Sequence, residues 1–574
     1  MSFCFRLFIL CPLLVALHPV YGVDINFKGV SDGSLEDNIS AHLSVLTLAD
    51  NCLTDGAVST IEKRVYQASE ALGYYNTEIK KISPEEAGNC ESLDLVLVPG
   101  PRVTLNAPHI LIKDEGRYDP VLQAMIEKYP LKQGDFLVHD IYTSEKQKWL
   151  TNALRRGYFD ATFTEQEIAV DRQRNTASIR LVLASGERYR FGPMRMTQTS
   201  IGESLINQVL SFAQGDFYHA DKLARFNQNL KQTGYFQQIV ARPVLSDAQN
   251  KHIPIDIIAT AKPRHIYNIG GGASTDTGPR IRLKWQRPWI NEAGHSMSAE
   301  AFFSGPLQTA TYHYKIPLED PLNNYLSLQA GLRAEDDNDT NSETITLALQ
   351  RHWASEDDAW QKIAFLRYEQ ERFTQASNVT QTTRLLIPGL TISRHRTRGG
   401  LDVFWGDQQL VTLETASSKM LSDIDFNRLT VQSKWVRSFG KHRLFARAEM
   451  GAINTNDFSR VPSSLRYFAG GDQSVRGFAF QSLSPKEENG ELIGGRYINT
   501  ASLEYSYPVR ENWRLATFID VGNASAEPLD NLARSAGIGA SWLSPVGPIR
   551  LYLAWGKSDD DSTFRVHFSM GPTL

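Results

Sequence analysis

From about Ile266 onward the chain alternates apolar and polar residues in segments of about ten. In 325–333, Leu326, Leu328, Ala330 and Leu332 fall on one face, and Ser327, Gln329, Gly331 and Arg333 on the other. Ile345, Leu347 and Leu349 repeat the device, as do Ile549, Leu551, Leu553 and Trp555. The last segment sets Phe564, Val566, Phe568 and Met570 against Arg565, His567 and Ser569. A period of two over strands this long predicts an up-and-down membrane β-barrel, apolar outside and polar inside. A soluble β-sandwich is the alternative, but its strands are usually nearer five or six residues. About sixteen antiparallel strands fit between 266 and 571. Their connections alternate in length: short at 438–441, 508–512 and 544–547, long at 334–341, 522–533 and 454–493. Short periplasmic turns and long external loops give that alternation.

The first half reads differently. Gln-Gly-Asp-Phe occurs at 133–136 and again at 214–217. Each copy leads into an amphipathic helical stretch and then Gly-Tyr-Phe, at 157–159 and 234–236. A third relative, Gly73-Tyr74-Tyr75, follows a helical stretch over 61–72. Glycine stops each helix, because a left-handed cap costs it no Cβ clash. Alternating or apolar strands at 93–98, 177–183 and 253–259 close the units. A period of about 80 residues means an array of small domains rather than a solenoid. These residues resemble three polypeptide-transport-associated (POTRA) domains of β-α-α-β-β kind, which precede the barrel in the outer-membrane insertase superfamily that includes BamA. The predicted organisation is three α/β POTRA domains at 23–100, 101–186 and 187–264, then a sixteen-stranded membrane β-barrel at 265–574.

Composition narrows the function. The 574 residues carry a net charge of -4, so no basic field invites nucleic acid. Residues 7–21 are apolar, follow Arg6 and end in Val20-Tyr21-Gly22. That predicts a signal peptide over 1–22, with a short anchor helix as the alternative. Beyond it the chain has two cysteines, Cys52 and Cys90. In an exported segment they are candidates for one disulfide, or else two free thiols. No zinc or serine-hydrolase motif occurs, and acidic runs such as 335–339 lack calcium-loop spacing. A barrel-borne hydrolase with a non-local triad is the enzymatic alternative. No metal and no cofactor is expected.

The longest loop contains Gly470-Gly471-Asp472-Gln473-Ser474-Val475-Arg476-Gly477-Phe478, followed downstream by Gly494-Gly495 and by Phe518-Ile519-Asp520-Val521-Gly522. Val475-Arg476-Gly477-Phe478 resembles the loop-six motif of the insertase superfamily, and 518–522 its thirteenth-strand partner motif. The segment 276–280, the run 468–472 and the ending Gly571-Pro572-Thr573-Leu574 are similar to the TamA-like branch. A guanidinium inside a lumen needs pairing. Asp520 can supply a bidentate partner to Arg476, Gly477 a sharp turn, and Phe478 a wedge against the wall. An exposed Arg-Gly turn and an unrelated strand-end aspartate are the alternative. Gly270-Gly271-Gly272 weaken the first strand, which must close the barrel against Phe564, Val566, Phe568 and Met570, just before Gly571. The expectation is a lateral seam that opens sideways. The alternative is that these glycines make room for the loop.

The resemblance implies insertion or secretion of unfolded outer-membrane proteins, autotransporters especially. It implies an outer-membrane location with the modules in the periplasm, and a TamB-like inner-membrane-anchored partner. A two-partner-secretion transporter and a passive channel are the rival readings.

Overall fold

The structure, a computed structural model, describes residues 24–570 except 45, 47–53, 87–88, 197–202, 355–358, 377, 401, 545–546 and 560–561. The expected signal peptide, Gly571 and the Cys52–Cys90 disulfide lie outside the described residues.

The first sheet has strands Asp24–Lys28, Glu78–Glu86 and Asn89–Val98, with the last in the centre. Helices Gly33–Leu43 and Asp55–Ala71 bury Leu35, Ile39, Ile61 and Val65 against Leu93, Leu95 and Leu97. Their N-termini are capped by Asp32 and Thr54, whose side chains accept the N–H of Ser34 and Ala57. The second sheet centres on Thr176–Ala184, flanked by Thr104–Leu105, His109–Lys113 and Thr162–Asp171. Helices Pro120–Glu127 and His139–Arg155 place Leu122 and Trp149 in one core with Leu181 and Leu183. A third sheet is ordered Arg190–Met196, His252–Ala261, Phe236–Pro243.

The repeated tetrapeptide has a structural purpose. After the second helix, Gly73 turns with φ +92° and Gly157 with φ +94°, a conformation glycine adopts without strain. Their carbonyls accept the N–H of Val103 (2.8 Å) and Tyr189 (2.9 Å) from the following linker. The carbonyls of Val103 and Tyr189 accept in turn from Leu137 (3.0 Å) and Tyr218 (2.9 Å). The preceding linker residue is an arginine both times. Arg102 Nε donates to the Leu72 carbonyl at 2.6 Å, and Arg188 Nε to that of Arg156 at 2.7 Å. Each guanidinium lies 4.7 Å from a ring centre, that of Phe136 or Phe217. The phenylalanine ending each Gln-Gly-Asp-Phe is therefore the platform for an arginine that ties one module to the next.

The barrel sheet runs through sixteen strands in sequence order, every neighbouring pair antiparallel. In the fifth strand (Tyr325–Asp337) and sixth (Thr340–Trp353), Leu328, Leu332, Ile345, Leu347 and Leu349 face out. Ser327, Glu335, Ser342 and Thr344 are buried on the lumen side. The long loop expected at 334–341 is instead a two-residue hairpin at Asn338 and Asp339. Its acidic residues read as loop, but Glu335 turns inward and pairs with Arg333 at 2.6 Å, which lets the ladder continue.

Candidate functional site

Six strands build the site, counting the fourteenth (Ala533–Ser544), whose Ser535 Oγ donates to Asp520 Oδ2 at 3.3 Å. The eleventh (His442–Thr455) contributes Arg447, and the twelfth (Tyr497–Arg510) Ser502 and Glu504. The thirteenth (Trp513–Ser525) carries Phe518 and Asp520, the fifteenth (Gly547–Lys557) Tyr552 and Gly556, and the sixteenth (Ser562–Met570) His567. Strand alternation sends these side chains into the lumen, where the loop over 456–496 descends to meet them.

Arg476, near the loop's tip, is 3% exposed. Its Nε and Nη2 donate to the two Asp520 oxygens at 2.9 and 2.8 Å. This is the fork geometry that binds carboxylates most tightly. Nη1 donates to Glu504 Oε2 at 2.5 Å and Nη2 also to Ser502 Oγ at 3.0 Å. The Arg476 backbone N–H donates to Asp520 Oδ2 at 2.9 Å. The guanidinium sits 3.5 Å from the Phe518 ring centre and 4.9 Å from that of Tyr552. A cation with two carboxylates and two ring faces is fully compensated, which a buried charge requires.

The remaining motif residues divide. Val475 and Phe478 are buried and pack with Ala533 and Leu483. Gly477 does not have the left-handed backbone of a sharp turn; it is needed for proximity. A Cβ there would meet Gly556 Cα at 2.4 Å and Ser535 Cβ at 2.8 Å. Gly495 pairs with Tyr467 in the loop's own bridge, next to Gly494. Gly522 lies on the thirteenth strand opposite Thr500.

Sequence reasoning missed Glu504, Ser502, Tyr552, Arg447 and His567. Arg447 holds the loop from the other side, donating to the carbonyls of Asp472 (3.1 Å) and Ser474 (2.5 Å). The His567 ring bonds the Arg476 carbonyl. All five occupy inward positions of alternating strands, and that alternation was the available signal. It does not say which inward residues come level across strands.

The first strand (Ile266–Ser274) and the sixteenth end the sheet path, with no ladder between them among the described residues. They meet at Thr275, whose N–H donates to the Phe568 carbonyl at 3.3 Å and whose Oγ1 accepts from the Phe568 N–H at 3.4 Å. Arg280, on the second strand (Gly278–Arg287), reaches the Met570 carbonyl at 3.3 Å. The expected pairing of Gly270–Gly272 with Phe564, Val566 and Phe568 is thus displaced. In antiparallel register from Thr275–Phe568, Met570 comes level with Ala273, and the glycines lie past the last strand's described end. On its other edge the sixteenth strand is paired with the fifteenth, Val566 opposite Leu553 and Phe564 packed on Trp555. The glycines make no room for the loop either. A Cβ on Gly270 or Gly271 meets nothing nearer than 3.9 Å, and on Gly272 it meets only Arg280 within 4 Å. The tip of the first hairpin also touches the loop: Asp276 Oδ2 accepts the Asp472 N–H at 2.9 Å, and its carboxylate lies 3.7 Å from His567 Nδ1.

Comparison with known proteins places this geometry. A BamA outer membrane protein assembly factor from Nitratidesulfovibrio vulgaris is 25% identical over 406 residues, 64% of this chain and 49% of that one. The Neisseria meningitidis BamA is 28% identical over 20% of this chain and 19% of its own. The chain thus spans about half the length of the first relative and less of the second. A crystal structure of Haemophilus ducreyi BamA lacking POTRA domains 1–3 superposes with a TM-score of 0.68 at 15% identity. That superposition covers 82% of this chain and 99% of the other, a likeness of fold. Residues 24–99 match the POTRA domain described as TamA domain 1. Residues 267–574, more than half the chain, match the Omp85 superfamily domain. The chain belongs to the Omp85 superfamily, as a nearly closed sixteen-stranded outer-membrane barrel whose N-terminal α/β domains lie in the periplasm.

Proposed function

We propose that this chain inserts or secretes other outer-membrane proteins, autotransporters above all, by opening the seam between its first and sixteenth strands. The observation that carries this reading is the first strand: among the described residues its free edge is bonded at the tip and carries no ladder below it, while the lumen is occupied by the docked loop. A bare edge inside a bilayer is a template, because an incoming strand satisfies main-chain groups that no water reaches. The filled lumen argues against a passive channel and against passage of a folded chain through the bore. On this reading the domains over 23–100, 101–186 and 187–264 are three POTRA modules of a TamA-like protein. They receive a TamB-like inner-membrane-anchored partner and nascent strands along sheet edges. No covalent chemistry is involved.

The test is a lock. Thr275→Cys with Phe568→Cys, oxidised, should abolish insertion of an autotransporter β-domain into vesicles holding the purified chain, and reduction should restore it. Full activity in the oxidised protein would sink the seam mechanism. Outer-membrane proteomics after depletion, rescued by wild type or by Arg476→Ala, identifies the substrates. Co-purification of the partner with residues 23–264 present or deleted tests the role of the modules.

A further inference from the structure

The outer wall behind the Arg476 site is hollow. A concavity of about 740 Å³ opens toward lipid there, floored by Ala446, Ala501 and Ala536 and walled by Leu503, Ile519 and Trp555. Its geometry follows from register. Ile519, Ala536 and Trp555 are directly opposite one another on the thirteenth, fourteenth (Ala533–Ser544) and fifteenth strands. Ala536 is therefore a notch between two bulky side chains that are 60% and 52% exposed.

Two residues beyond the notch on the same strand is Arg534, and two residues beyond Trp555 is Lys557. These two are also directly opposite each other, both exposed, and both line the hollow. The chain enters the first strand from the periplasmic modules, so the fourteenth strand begins and the fifteenth ends at the external face. The cations thus mark the outer-leaflet end of the hollow. Among the described residues neither forms an ion pair, and the nearby exposed Asp559 pairs with neither.

Two like charges directly across a strand pair repel, and cations on a lipid face are tolerated only near the interface. An anion between them removes both penalties. Arginine presents a planar fork suited to phosphate and lysine a mobile point charge. A comparable hollow of about 720 Å³ outside the first six strands lacks this arrangement. The cation among its lining residues, Lys284, lies 3.8 Å from Glu300.

We propose that the hollow is a binding site for a phosphate-bearing lipid of the outer leaflet. Its phosphate bridges Arg534 and Lys557, and an acyl chain runs down over Ala536 between Ile519 and Trp555. The lipid sits on the wall that carries Asp520, so an occupant braces from outside the strands that hold loop six from inside.

The test uses the full chain in phosphatidylcholine nanodiscs doped with a diphosphorylated, hexa-acylated glucosamine disaccharide, with retained lipid counted by native mass spectrometry. Wild type should retain the phosphorylated lipid over its dephosphorylated analogue. Arg534→Gln with Lys557→Gln should lower retention about thirtyfold, from two basic residues near an anionic lipid. Arg534→Lys with Lys557→Arg should stay near wild type. Ala536→Trp should weaken retention with both charges intact, because it fills the notch. Millimolar inorganic phosphate should not displace the lipid. Equal retention of the two lipids, or no effect of the Gln pair, overturns the proposal; so does displacement by inorganic phosphate, which would mark a free-anion site. Heat-modified gel mobility reports folding for each variant. If the Gln pair fails to fold, the charge-retaining swap and Ala536→Trp still decide the matter.

Discussion

Two buried charges illustrate how single residues hold this molecule. Arg476 is compensated by Asp520, Glu504 and two rings, so truncating either member of the main pair strands the other in a low-dielectric site. Arg476→Ala or Asp520→Ala should each cost about 3–5 kcal/mol of loop docking. The double variant should cost much less than the sum; additive losses in protease accessibility of the loop would show that the pair does not act as a unit. Asp119, in the second α/β module, caps the helix Pro120–Glu127 and accepts from Arg156 Nε at 2.7 Å and Tyr158 at 3.2 Å. Burial pushes its pKa up, but the Arg156 bond and charge and the N–H groups of Val121 and Leu122 outweigh it, so the carboxyl titrates below its usual value. A depressed carboxylate pKa gives stability that is complete above the unfolded value of about 4 and is lost as pH falls through the folded one. The module's melting temperature should therefore drop below about pH 4, and Asp119→Asn should flatten that acid limb. An unchanged limb would remove Asp119 from the account. The sequence made the Arg476–Asp520 pair legible because both stand in short distinctive motifs. It left Glu504 and Tyr552 unread because nothing local in Leu503–Glu504–Tyr505 distinguishes one inward residue from the next; their meeting depends on how adjacent strands are staggered.

At the level of elements, the repeat was visible and its purpose was not. Gln-Gly-Asp-Phe and Gly-Tyr-Phe stand out as text, but Arg102 and Arg188, the residues that unite them, sit in linkers outside both motifs. Either arginine links its segments chiefly through a hydrogen bond to a helix-terminal carbonyl and the face of Phe136 or Phe217, and Arg188 Nη2 donates also to the Tyr218 carbonyl at 3.4 Å. Arg102→Ala and Arg188→Ala should each loosen one joint by about 1–3 kcal/mol, from a charged hydrogen bond and a partly desolvated cation–π contact. Amide exchange at Val103 and Tyr189 should accelerate at the mutated joint and stay unchanged at the other. The same distinction explains the hairpin at Asn338. Periodicity located the strands, but charge content misplaced an end, since an acidic residue that faces a polar lumen continues a strand as well as an apolar one that faces lipid.

For the whole molecule the decisive feature is where the docked loop and the seam come together. The seam's described hydrogen bonds involve Thr275 and Arg280, and the first hairpin's bond to the loop is made by Asp276 between them. The sequence announced a barrel, a loop-six motif and a glycine-rich first strand as three separate facts. That the loop and the seam meet within 275–280 depends on a register that extends beyond any single strand pair. Below that tip, Tyr267 and Ile269 are 72% and 81% exposed, and among the described residues the edge they stand on has no ladder. The seam is therefore bonded at one end among the described residues, and that end also contacts the loop. Asp276→Ala removes the acceptor of the Asp472 N–H and the carboxylate beside His567 while leaving the Arg476–Asp520 pair untouched. If loop and seam are one device, seam-facing amides of residues 266–275 should exchange about tenfold faster in Asp276→Ala, roughly one hydrogen bond's worth of restraint, and the fifth and sixth strands should not change. Arg476→Ala should produce the same pattern at the seam, since freeing the loop frees the contact it makes with Asp276. A seam that responds to Asp276→Ala but not to Arg476→Ala would mean that the hairpin holds itself, and that the loop plugs the barrel without governing its opening.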